Sequence, residues 1–219
     1  MSTTVARRRG PATRAGGAGN KIWFAAVAGL VILLLIAIIA TRPSGDSTTD
    51  TGLAQNQAVQ ITGDPLPPMP ESGEDPAVGL EAPAVSGKSF DGSPVLIKRG
   101  DGLPKVIMLL AHWCPHCQAE VPVIQDWLEA EGMPEGVELL SISTAVDPNQ
   151  PNYSPSTWLE REGWEVPVLA DNELSEAASA FGVTGYPFFV FVNGDGTVAA
   201  RASGELPIET IEGHIASLK

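Results

Sequence analysis

Hydrophobic and polar positions divide the chain into three stretches of different character. Ile22 to Ala40 is an uninterrupted run of 19 uncharged residues, dominated by Ala, Val, Leu and Ile. Across 41–78 that pattern gives way to Pro, Gly, Ser and Thr with few large apolar side chains. From residue 79 onward, short apolar runs alternate with amphipathic stretches. Lys105–Ala111 (Lys-Val-Ile-Met-Leu-Leu-Ala) is continuous enough to predict a strand covered on both faces. Val95–Ile97, Val137–Ser143 and Val166–Leu169 predict further strands. A helix is predicted from near Cys114 to about Ala130, with Val121, Ile124 and Leu128 as its buried stripe and Pro122 as a kink. Ser154-Pro155-Ser156 opens a helix ending around Gly163, and Asp171 or Asn172 caps another through Phe181. Phe188–Val192 and Val198–Ala202 flank Asn193-Gly194-Asp195-Gly196, a strong hairpin signal, and Pro207 opens a last helix reaching Leu218. Strand–helix alternation followed by a hairpin and helix predicts an α/β fold with a mixed sheet.

The first run has the length of a membrane span. As a helix it would cover about 28 Å at about 1.5 Å per residue, close to a hydrocarbon core of about 30 Å. Residues 1–21 hold five basic side chains (Arg7, Arg8, Arg9, Arg14, Lys21) and no acid, whereas only Arg42 closely follows the run. By the positive-inside rule, 1–21 is a cytoplasmic tail, 22–40 a transmembrane helix and everything beyond residue 42 extracytoplasmic. A cleaved signal peptide is the competing reading, but its apolar region is about 7–15 residues and ends in an A-x-A-like site. Here the run is longer and ends Ala37-Ile38-Ile39-Ala40-Thr41. No cysteine lies nearby for a lipoprotein anchor, and Arg7-Arg8-Arg9 lacks the context of a twin-arginine signal.

Residues 41–78 contain six prolines and four glycines. By composition such a segment cannot bury enough surface to offset its ordering entropy, so a disordered linker is expected, stiffened at Asp64–Pro70. That leaves 79–219 as one domain with its own core. The formal net charge of −13 comes from +5 over residues 1–21 and −18 over the rest. So acidic a body argues against nucleic-acid binding, which needs clustered Lys and Arg.

Two cysteines, Cys114 and Cys117, exclude a multi-disulfide scaffold and a four-cysteine zinc site. They stand in Trp113-Cys114-Pro115-His116-Cys117, between a buried strand and a helix start. At a helix N-terminus, unpaired amides and the helix dipole favour a thiolate at the first sulfur. Cys114 is then the attacking group and Cys117 the buried resolving thiol. His116 adds a positive charge or a donor to the same thiolate; stabilising the reduced form makes the couple more oxidising. A zinc site using His112 and His116 is the main competitor, but His116 lies inside the cysteine pair on one tight turn, where convergence on a single ion is awkward. Haem attachment requires His directly after the second cysteine, and residue 118 is Gln. His112 and His214 are expected to face solvent.

These residues resemble a thioredoxin-fold protein, more narrowly a membrane-anchored thiol–disulfide oxidoreductase of the TlpA/ResA (redoxin) type. The likeness covers essentially all of 79–219. It includes Gly79-Leu80-Glu81-Ala82-Pro83, the Trp-Cys-Pro-His-Cys motif with Gln118-Ala119-Glu120-Val121-Pro122, and Gly182-Val183-Thr184-Gly185-Tyr186-Pro187 before the hairpin. Material at about 145–181 looks like that subgroup's insertion. The resemblance implies a thioredoxin-like fold, with a mixed central sheet flanked by helices. It also implies that Pro187 is a cis-proline beside the cysteines, with the Tyr186 backbone pairing with a bound substrate strand. Glu120 is implied as the acid near the buried thiol and a proton acceptor for Cys117. Trp113, Pro115 and Tyr186 would contact substrate. Met108 stands where thioredoxins proper carry a buried Asp, so proton handling differs from theirs. The Pro-His pair is that of the periplasmic oxidase DsbA, whereas the TlpA/ResA group often runs as reductants.

The expected protein is therefore an extracytoplasmic oxidoreductase, using no cofactor and no metal. Its partners would be protein thiol or disulfide clients and a membrane redox partner. His116 tilts the expectation towards disulfide donation; the alternative is a reductant for apocytochrome c or other client thiols. A metallochaperone and a thiol peroxidase are the readings from other classes.

Overall fold

A computed structural model of the chain describes residues 52–219. The stretches 1–21 and 22–40 lie outside them, and no helix among the described residues is long and apolar enough to cross a membrane. Eight strands form one mixed sheet: β1 (Gln60–Thr62), β2 (Ala84–Lys88), β3 (Pro94–Ile97), β4 (Lys105–Leu110), β5 (Glu138–Ser143), β6 (Val168–Ala170), β7 (Phe188–Val192) and β8 (Val198–Ser203). Among the described residues four helices accompany them: α1 (Pro115–Ala130), α2 (Pro155–Arg161), α3 (Glu176–Ala180) and α4 (Ile208–Ala216). The strand order is β1-β2-β6-β5-β4-β7-β8, with β3 paired to β2.

At the centre, β4 pairs parallel with β5 and antiparallel with β7. Every residue of β4 is buried, and from Val106 to Leu110 its run is unbroken and apolar, as burial on both faces demands. The alternation of a strand then sorts these side chains between two cores. Val106, Met108 and Leu110, with Phe189 and Phe191 of β7, face Val121, Ile124 and Trp127 of α1 and Ile211 and Ile215 of α4. Ile107 and Leu109, with Phe188 and Val190, face Phe181, Ala177 and Leu169 on the other side. Lys105, at the strand start, is buried beneath Asp101 and Glu138, which supply its counter-charge.

Several expected elements appear within a residue or two of their predicted ends, and α1 runs unbroken through Pro122. Asp171 does cap α3, but from a distance: its carboxylate accepts the amides of Ala177 and Ala178 at 3.0 and 3.1 Å. Asn172 Oδ1 accepts those of Leu174 and Glu176. Strands β1 and β2 have no clear alternating pattern in the sequence, so only pairing with the rest of the sheet reveals them.

The disordered linker expected over 41–78 is corrected for the described part, 52–78. This segment straps the domain. β1 pairs with β2, Leu66 is buried, and the amides of Ala54, Gln57, Leu66 and Met69 donate to carbonyls of Phe90, Asp171, Ala180 and Gly182. Composition measures what a segment buries by itself. It does not see that a segment rich in proline can lay its carbonyls and a few apolar side chains on a core that already exists. Gly182, at φ +70°, is where the fit is tightest: a Cβ there would meet the Pro67 carbonyl oxygen at 2.3 Å.

Candidate functional site: a dithiol at the start of α1

Strand β4 delivers the chain into a short turn, closed by Cys114 N–H donating to Ala111 O at 3.0 Å, and α1 starts at once. Cys114 holds the N-cap position and Pro115 the first helical one, where a missing N–H costs nothing. Both cysteines are free thiols and both are buried, Cys114 with 6% of its surface exposed and Cys117 with none. The Cys114 thiol donates to the backbone carbonyl of Tyr186 at 3.3 Å, across 72 residues. The Tyr186–Pro187 peptide is cis and Pro187 is buried.

Burial pushes the Cys117 thiol far above its ordinary range, with the nearby charges of Cys114 and Glu120 adding to the effect. Glu120 itself is buried, with 3% exposed, and Oε1 accepts the Leu206 amide at 3.0 Å. Burial raises the Glu120 carboxyl above its usual range; the Leu206 amide opposes this and the neighbouring Glu205 reinforces it. Met108 is fully buried in the same core as the two cysteines, so β4 brings no carboxylate to them. The acid in that interior comes from one turn further along the cysteines' own helix.

The solvent side of the dithiol is made by Pro115 and His116, both exposed, and by half-buried Trp113 and Tyr186, whose rings meet edge to face at 6.1 Å. Trp113 is pinned by its indole N–H on Ala145 O at 2.7 Å. Burial raises the Tyr186 phenol above its ordinary range, and the Thr144 hydroxyl partly counters the rise. Thr144 in turn donates to the buried Asp171 at 2.8 Å. His116 Nδ1 lies 2.5 Å from Glu205 Oε1 on the loop between β8 and α4.

The two other histidines are not where the sequence suggested. His112 is fully buried. Its Nδ1 donates to Pro151 O at 2.8 Å and its Nε2 accepts the Asp147 amide at 3.2 Å, which fixes a neutral ring with both nitrogens occupied. Burial accordingly lowers its basicity. With both nitrogens committed to backbone, His112 is not free to join the cysteines around a metal. His214 is half-buried against Phe191, ring centroids 4.5 Å apart, because α4 lies on β7 through Ile211 and Ile215. Glu205, Thr144 and Asp171 were not linked to the site from sequence. They come from separate loops, and no local spacing marks them.

A cysteine pair at a helix N-terminus, beside a cis-proline loop on a thioredoxin-like sheet, defines a redoxin-type thiol–disulfide oxidoreductase. The chain belongs to the AhpC/TSA family, whose model matches residues 78–201. It is 22% identical over 132 residues to the thiol-disulfide oxidoreductase ResA of Halalkalibacterium halodurans, covering 60% of this chain and 72% of that protein. It is 29% identical over 132 residues to the thiol:disulfide interchange protein DsbE homolog of Paracoccus denitrificans, covering 59% and 68%. In fold it is similar to a secreted Mycobacterium tuberculosis disulfide oxidoreductase homologous to E. coli DsbE. That match has a TM-score of 0.51 at 22% identity, covering 61% of this chain and 95% of that one.

Proposed function

We propose that this chain exchanges disulfides with cysteines of secreted or membrane proteins on the outer face of a membrane, tethered by residues 22–40, and that it donates disulfides to them. The observation that carries the exchange chemistry is the placement of Cys114 at the α1 N-cap against the Tyr186 carbonyl, with Cys117 buried behind it. In donation, a client thiolate attacks the Cys114 sulfur of the Cys114–Cys117 disulfide. The Cys117 sulfur leaves and takes up a proton, for which Glu120 is the nearby acid. A second client thiolate then attacks the mixed disulfide, its own disulfide forms, and Cys114 leaves as the thiolate. The client loses two electrons and the protein gains them. Trp113, Pro115 and Tyr186 would flank the client strand, and Pro187 would keep the Tyr186 carbonyl facing the dithiol.

The direction rests on Pro115-His116, since a cationic or donating His116 stabilises the reduced form. One observation favours the reverse, reductant reading: His116 is held by Glu205. The deciding experiment equilibrates the full-length chain, in detergent, against glutathione. A reduction potential above about −180 mV supports donation, and one near −270 mV or below supports the reductant. Absence of a reversible Cys114–Cys117 couple would remove both.

A further inference from the structure

The loop between β8 and α4 makes two contacts, with consecutive residues, to side chains on either side of the dithiol. Glu205 Oε1 lies 2.5 Å from His116 Nδ1, and the Leu206 amide donates to Glu120 Oε1 at 3.0 Å. The first contact spans 89 residues and the second 86. One loop thus holds both the exposed group that would stabilise the Cys114 thiolate and the buried acid that serves Cys117. A bend at the end of β8 makes this possible: Gly204, at φ +90°, donates to Pro187 O at 2.8 Å, and the chain turns from there toward α1.

We propose that Glu205 tunes the Cys114–Cys117 couple, its carboxylate offsetting His116 and drawing the reduction potential below the value that Pro115-His116 would otherwise confer. The inference rests on the oxidoreductase reading above. Reduction of the active-site disulfide by two glutathione thiols breaks one S–S bond and makes another in oxidised glutathione. The two glutathione protons pass to Cys114 and Cys117, or to solution to the extent that either sulfur is held as the thiolate. A group that favours the thiolate pulls this reaction forward. His116, two residues further along the motif, would do so with its charge or an N–H, whereas Glu205 engages that ring at Nδ1 and brings a carboxylate to the same side of the motif. The partners are largely open to solvent, with side-chain exposures of 66% for His116 and 47% for Glu205, so water and salt screen the pair. The effect is therefore a modest adjustment of the couple.

Glu205 acts through His116 and is a tuning residue, so the test must separate it from a structural one. The full-length chain, Glu205→Gln, His116→Ala and the double variant are each equilibrated with glutathione at low and at high salt. Glu205→Gln should raise the equilibrium constant for reduction roughly threefold to tenfold, which is about 14 to 30 mV for a two-electron couple. Glu205→Lys should move it further the same way. The change should shrink at about 1 M salt, where the screening length falls to about 3 Å, and nearly vanish in the His116→Ala background. An unchanged constant in both Glu205 variants would overturn the proposal. So would an equal change with and without His116, since Glu205 would then act independently of that ring. A wild-type chain with no reversible couple would instead overturn the oxidoreductase reading, and the two failures are distinguishable.

Discussion

Arg201, on β8, grips Asp75 of the N-terminal strap with two hydrogen bonds, Nε to Oδ2 at 2.9 Å and Nη2 to Oδ1 at 2.5 Å. The guanidinium is wholly buried, and its remaining nitrogen donates to the carbonyls of Pro67 and Phe181, each at 2.9 Å. A single side chain thereby joins the strap to the sheet and to the end of α3.

Asp75→Ala should destabilise the chain by about 3–5 kcal/mol, because it strands a buried cation. Denaturant unfolding measures this. The Arg201 hydrogen bond holds the Asp75 carboxyl below its usual range. The associated stability is therefore fully present above the unfolded value of about 3.9 and is lost as pH falls through the folded one. A wild-type unfolding midpoint no more acid-sensitive than that of Asp75→Ala would contradict this account.

His112 makes the opposite kind of demand on pH. Its folded ring is kept neutral by burial, against the pull of the Pro151 carbonyl and the Asp147 carboxylate. An imidazolium there could not accept the Asp147 amide, and Tyr153 packs edge-on to the ring at 6.0 Å. The unfolded chain takes up this proton more readily, so the stability contribution is complete above about pH 6.5 and declines as pH falls below it. Urea midpoints at pH 7.5 and 5.5 should therefore differ more in the wild type than in His112→Phe. The variant should also lose about 1–3 kcal/mol at pH 7.5, since it leaves backbone groups of the 147–151 loop unpaired.

Cysteine substitutions should separate the two thiols. Cys114→Ser should abolish exchange with a model disulfide peptide, whereas Cys117→Ser should form a mixed disulfide and stop there. Mass spectrometry of the trapped adduct distinguishes them. Equal trapping by both variants would show that burial does not rank the two sulfurs.

Glu120→Gln should slow release of a mixed disulfide formed at Cys114 by about 100-fold, the lower end for a positioned proton acceptor. Burial holds both the Glu120 carboxyl and the Cys117 thiol above their ordinary values. Release in the wild type should accordingly speed up as pH rises and Glu120 loses its proton. Stopped-flow measurement from pH 5 to 8 checks this. A flat profile identical in Glu120→Gln would assign the carboxylate to holding Leu206 alone.

Local chemistry was legible in the sequence. The apolar run Val106–Leu110 of β4 marked a strand buried on both faces, because a two-sided environment favours apolar side chains at successive positions. Asn193-Gly194-Asp195-Gly196 fixed the hairpin, since Gly196 adopts φ +92° as such a turn requires. The spacing of Cys114 and Cys117 against a helix start marked the candidate reactive pair. These are properties of neighbours along the chain, where geometry follows from a few dihedral angles. Only the tertiary structure decided what meets that pair from elsewhere. Tyr186 brings a carbonyl to Cys114, Leu206 an amide to Glu120 and Glu205 a carboxylate to His116, each from more than 70 residues away. The same holds for His112, which reads as an exposed polar residue until the 147–151 loop closes over it, and for the strap, which reads as unstructured by composition. A buried partner confers its energy only once both ends are removed from water, and the order of residues along the chain does not contain that information.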